Sequence, residues 1–91
     1  MFTRTLITVA LTTPQTEYSL ALPTVTRRLR IFPSVNIRMA FAASEVNLDN
    51  GDYDRLNANR EYDSGEINGA GTVYLSAERY PAVELPMEVY T

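Results

Sequence analysis

The densest set of residues able to do chemistry in this chain is acidic. Asp49, Asp52, Asp54, Glu61, Asp63 and Glu66 fall close together in the second half. Carboxylates so grouped have two main uses. They can hold calcium, which takes about six to eight oxygens, or they can act as an acid and base pair in glycoside hydrolysis. Asp49-Asn50-Gly51-Asp52-Tyr53-Asp54 offers the right atoms for calcium. It lacks the D-x-[DN]-x-[DN]-G spacing of an EF-hand loop and has no bidentate Glu at the expected place. A chain of 91 residues also leaves little room for the walls of a sugar-binding cleft. The ordinary reading of the cluster is a solvated polar loop.

Other catalytic machinery is excluded by composition. The chain has no His, no Cys and no Lys, and all eight basic residues are Arg. A Ser-His-Asp triad, a Cys-His pair and a Schiff-base lysine therefore cannot be built. Imidazole and thiolate zinc sites are excluded as well. The expectation is a non-enzymatic protein with no cofactor and no metal.

Contact chemistry is the remaining candidate. Arg27, Arg28, Arg30 and Arg38 form a basic patch. Side chains alternate across a strand, so Arg28 and Arg30 share one face and Arg27 takes the other. Such a patch either meets an acidic partner or pairs with acids of its own sheet. Glu84 and Glu88 lie on one face of the last strand and are placed to oppose arginines across strands. Arg79 and Tyr80 stand together at a turn, and Tyr with Arg is what interface centres favour. Phe2, Leu6 and Val9 belong to an apolar, Thr-rich segment with no clear polar face. The candidate partner contacts are therefore Phe2, Leu6, Val9, Arg27, Arg28, Arg30, Arg79 and Tyr80.

The elements that must position these residues are strands. The chain is organised around residues 24–42, where two period-two runs flank Pro33-Ser34. In the first, Val25, Leu29 and Ile31 share a face with Arg27. In the second, Val35, Ile37, Met39 and Phe41 oppose Asn36, Arg38, Ala40 and Ala42. Pro33-Ser34 is either a tight hairpin or a crossing between two sheets. Residues 2–11 read as a central strand, an edge strand or an arm that pairs with a neighbour. Residues 16–22, 72–78 and 82–91 alternate clearly, and Pro86 in the last run points to an edge position because it lacks an N–H. Between 49 and 71 the chain carries all four glycines and most of its Asn and Asp, with short extended pieces expected near 53–56 and 59–62. No sustained helical period appears; a short helical turn is expected at 42–46 or 52–57. Six or seven short strands predict one all-β domain over residues 1–91, a small antiparallel β-sandwich or jelly-roll-like barrel, with residues 1–15 available as an N-terminal arm.

Charge adds a direction. Residues 1–45 hold five Arg against two acids, a balance of +3, and residues 46–91 hold three Arg against nine acids, −6, giving the net −3. An acidic chain is a poor general ligand for nucleic acid. A two-signed surface suits protein contacts. No run approaches the roughly 18 apolar residues of a membrane span, and the N-terminal residues do not resemble a signal peptide.

Several stretches together resemble a known group. Tyr18-Ser19-Leu20-Ala21-Leu22-Pro23, Arg28-Leu29-Arg30, Ile37-Arg38-Met39-Ala40-Phe41-Ala42, Gly71-Thr72-Val73-Tyr74-Leu75 and Val83-Glu84-Leu85 with Val89-Tyr90-Thr91 are similar to small virion proteins of tailed bacteriophages. In that group a Y-x-L-x-L-P strand precedes an Arg-bearing strand, an I-R-x-A-F strand, a polar Gly/Asn-rich middle, a G-T-x-Y-L strand and an acidic closing strand. The resemblance covers residues 16–91. It implies an all-β structural subunit, most specifically a head decoration or cement protein. Such a protein assembles in the host cytoplasm and sits on the capsid surface as a homo-oligomer, trimers being favoured. Its partner is the major capsid protein or another virion protein, with no membrane and no specific nucleic acid. The alternatives are a tail, neck or fibre-base component, and a small carbohydrate- or ion-binding β-module. An arm at residues 2–12 would be removable with loss of assembly and not of fold.

Overall fold

The computed structural model describes residues 3–48, 50–67 and 71–91. Phe2, Asp49 and the Asn68-Gly69-Ala70 part of the polar middle lie outside the described residues. Among the described residues eight strands form in chain order: β1 (Arg4–Leu11), β2 (Tyr18–Ala21), β3 (Arg28–Ile31), β4 (Ile37–Ala40), β5 (Asp54–Leu56), β6 (Tyr62–Asp63), β7 (Thr72–Ala77) and β8 (Ala82–Tyr90). A 3₁₀ turn, Glu45–Asn47, stands between β4 and β5, at the first of the two places where a helical turn was expected. At the second, residues 52–57, β5 forms instead.

The pairing is nested. β1 pairs with β8, β2 with β7, β3 with β6 and β4 with β5, all antiparallel. Successive pairs go alternately to two sheets, joined within each sheet by β3–β8 and β4–β7. Sheet I thus has the order β1-β8-β3-β6 and sheet II the order β2-β7-β4-β5. A long hairpin rolled over in this way is the jelly-roll winding of a two-sheet sandwich. The fold expected from strand patterning is the fold seen. β3 and β4 lie in different sheets, so Pro33-Ser34 is the crossing and not a hairpin turn.

The core lies between the sheets. Leu29 and Ile31 of β3, Ile37 and Met39 of β4, Val73 and Leu75 of β7, and Leu85, Met87 and Val89 of β8 are all buried. These are the inward halves of alternating strands, as period two requires. Three apolar residues of the alternating runs are not there. At the start of β8 Val83 is exposed and Ala82 is buried instead, where the β1–β8 register shifts. Val25 is exposed because residues 23–26 form a turn, in which both the N–H and the hydroxyl of the buried Thr26 donate to the Pro23 carbonyl. Phe41 is exposed because β4 ends at Ala40.

Two further expectations are revised. β8 is an interior strand, so Pro86 is not at an edge. The proline is accommodated because it lies opposite Phe32, one residue past the end of β3, and its carbonyl accepts the Phe32 N–H at 3.0 Å. Arg4–Leu11 is an edge strand, paired along its length with β8 of its own chain. Of the three roles open to this segment, the structure shows that of an integral strand of sheet I and not a separate arm.

Candidate interaction surface

β1, β8 and β3 are in register, so their outward side chains form rows across sheet I. Arg4, Tyr90 and Arg28 make one row; Leu6, Glu88, Arg30 and Asp63 make the next. The alternate residues Val89, Leu29, Met87 and Ile31 point into the core. Strand periodicity alone therefore places five charges and a tyrosine on one outer face.

Those charges neutralise one another. Glu88 sits at the centre and is only 7% exposed. Its carboxylate accepts from Arg4 at 3.0 Å, from Arg30 at 3.1 Å and from the Tyr90 hydroxyl at 3.0 Å. Arg30 reaches Glu61 with its other terminal nitrogen. Its guanidinium stands 5.5 Å from the Phe32 ring centre, within cation–π range. Arg28 grips Asp63 with two nitrogens, Nε donating to Oδ1 at 2.9 Å, while its guanidinium lies 5.7 Å from the Tyr90 ring centre. Buried carboxylates persist only when hydrogen bonds replace their water. Glu88 has three such donors.

The carboxyl group of Asp63 is strongly perturbed. The Arg28 guanidinium, followed by the Gly65 N–H at 2.9 Å, lowers its pKa from 3.8 to about 2. Gly65 can present that N–H because it adopts a positive φ of 68°. A depressed carboxylate pKa stabilises the fold above the unfolded value, and that contribution is lost as pH falls through the folded one. Stability is thus expected to drop between pH 3.8 and about 2, and Asp63→Asn should flatten that part of the profile. Urea midpoints measured at several pH values check this; equal slopes for both proteins would contradict it.

Sheet II carries a smaller version of the same arrangement. Arg38 and Arg55 are directly opposed on β4 and β5. Like charges so placed repel. Glu78 lies between them, 2.8 Å from Arg55 and 3.8 Å from Arg38, and Arg38 also stacks over Tyr53 at 4.6 Å.

The candidates named from sequence are spread over three places. Leu6, Arg28 and Arg30 share the outer face of sheet I, with Leu6 69% exposed. Arg27, beside them, borders an open hollow of about 410 Å³ with Gly65, Glu66 and Tyr90. Val9 faces inward and packs against the core. Arg79 and Tyr80 are exposed in the β7–β8 connection, at the rim of another hollow of about 370 Å³ with Asn36 and Arg55. Phe2 lies outside the described residues. Sequence reasoning placed Glu88 opposite the arginines but missed Arg4, Glu61, Asp63 and Tyr90 as their other partners. Arg4 and Leu6 have the same parity in β1, which was the available signal.

Among the described residues the acidic cluster does not gather into one site. β5 carries Asp54 in sheet II, while Asp63 lies in β6 of sheet I. Glu45 accepts the Asp52 N–H at 2.7 Å beside the 3₁₀ turn. The turn there needs Gly51, since a Cβ would strike the Glu45 carbonyl. Among the described residues no three carboxylates are grouped to hold a metal ion, and no helix is long and apolar enough to cross a membrane.

No protein-family model, no curated protein and no solved structure matches this chain.

Proposed function

We propose that the chain is a non-enzymatic structural subunit of a tailed-phage virion, a decoration or cement protein that binds the capsid lattice and braces the head. The observation that carries the reading is the winding. Eight strands nested as a jelly roll are an architecture of viral capsid domains, and here they are built from strand motifs that resemble those of virion proteins. The sheet I face supports a bracing role. Its charges are tied to each other across four strands, so the surface is close to neutral. Docking of such a surface is expected to depend on shape and apolar contact, with salt acting mainly on the association rate.

Fold does not by itself carry function, so location in the particle decides the matter. Quantitative mass spectrometry of purified virions would count copies of this chain against the major capsid protein. Copies in the hundreds are expected for a lattice-binding protein. A few to a few dozen would place the chain in the neck, tail or fibre base, and absence would overturn the virion reading.

A further inference from the structure

The four sheet edges are unequally protected. β2 has four residues, β5 three and β6 two. Short strands and charged residues such as Asp54 and Asp63 are the usual means of blocking unwanted edge pairing. β1 is the exception. It is eight residues long, contains no Pro, and carries one charge, Arg4, which is already held by Glu88.

The direction of its free backbone groups follows from the β1–β8 ladder. Thr3 and Thr91 exchange both N–H···O bonds, at 3.0 and 2.9 Å. Bonded and non-bonded pairs alternate in an antiparallel ladder. Thr5, Ile7 and Val9 therefore bond inward to β8, while Arg4, Leu6 and Thr8 direct their N–H and C=O groups away from it. Pro86 agrees with this, since it lies opposite Thr8 and has no N–H to give.

We infer that β1 is a self-pairing edge: two copies of this chain join β1 to β1 antiparallel about a twofold axis centred on Leu6. The occupant is a second copy because no other edge among the described residues matches the length of β1. The axis places Leu6 against Leu6 and Arg4 against Thr8 of the second copy, so the three outward residues pair with three and the like charges stay apart. The two sheets I then become one continuous eight-stranded sheet. Apolar groups are ready on both of its faces. Leu6 is exposed on the outer side, and Ile7 and Val9 are only half covered on the inner side. A twofold interface of this kind is isologous and closes at two. It gives a dimer where the phage resemblance implies a trimer, and it stands or falls independently of the virion reading.

Sedimentation velocity on the full chain tests the pairing. The expected species has twice the 10.2 kDa monomer mass. Thr8→Pro removes an outward N–H and no bond to β8, and Leu6→Lys puts a charge on the edge at an exposed position. Each is expected to weaken the dimer by about tenfold or more, with an unchanged far-UV circular dichroism spectrum. Using two variants guards against misfolding of either. A wild-type chain that stays monomeric at millimolar concentration would overturn the inference. So would a trimer, or a dimer that both folded variants retain.

Discussion

Deletion of residues 1–12 is expected to leave a chain that no longer folds cooperatively. β1 supplies one edge of sheet I and is bonded to β8 from Thr3 to Val9. Leu11 is fully buried, and Ile7 and Val9 pack against the core. Burying a side chain of this class is worth about 1.5–3 kcal/mol, so the three together contribute on the order of 4–6 kcal/mol after their partial exposure is discounted. A domain of this length has a total stability of about 5–14 kcal/mol. The deletion also converts β8, whose inward residues form the centre of the core, into an unprotected edge. Loss of dispersion in a ¹⁵N–¹H correlation spectrum and loss of a cooperative thermal transition are the expected readouts. A truncated chain with a dispersed spectrum and a near-normal melt would show that the segment is a separable arm. Leu6→Lys, by contrast, should leave the fold intact, since Leu6 faces solvent in the monomer.

Replacement of Glu88 by Ala is expected to be the most damaging single change on the outer face of sheet I. Removing one member of a buried ion pair costs about 3–5 kcal/mol when both partners are enclosed. Here Glu88 is enclosed but its arginines are not: the side chains of Arg30 and Arg4 are 30% and 57% exposed and regain water on its loss. Arg30 also keeps Glu61. The discounted cost is about 2 kcal/mol, which lowers the melting temperature by roughly 8–16 °C in a domain of this size. Glu88→Gln retains the shape and part of the hydrogen bonding and should cost about half as much. A double-mutant cycle with Arg30→Ala separates the pair from the packing of each residue. A Glu88→Ala protein that melts within a degree or two of the parent would show that the cluster is a surface ornament of no energetic weight.

These two expectations have different origins, and the difference shows how far the amino-acid order reaches. The strand pattern, the all-β class and the core residues of β3, β4, β7 and β8 were legible because they depend on alternation between near neighbours. The missing His, Cys and Lys likewise settled which catalytic groups could not be present. Even the place of the crossing at Pro33-Ser34 was among the options that local reading allowed. What failed locally had local causes of another kind: the turn that exposes Val25 depends on the Thr26 side chain reaching Pro23, and an early end to β4 exposes Phe41. Pro86 misled because its missing N–H was weighed without knowing that β3 ends before reaching it.

The nested pairing and the charge pattern could come only from the tertiary structure. Arg4 meets Glu88 across 84 residues of chain. For Arg28 and Arg30 the sequence left open an acidic partner or acids of their own sheet, and it did not show that β6 brings Asp63 and Glu61 beside them. The acidic cluster read as a solvated polar loop, with calcium or an acid pair as its chemical options, and the rolled hairpin sends β5 and β6 to different sheets. Period-two patterning states which side of a strand is buried and carries no record of which strand lies next to it. Partners are chosen by closure of the whole sandwich, where every interior strand must find two neighbours and every buried charge its counter-ion. The sequence by itself determined the strands and the chemistry this protein lacks; the rolled pairing decided which charges neutralise one another and left β1 as the long, unprotected edge.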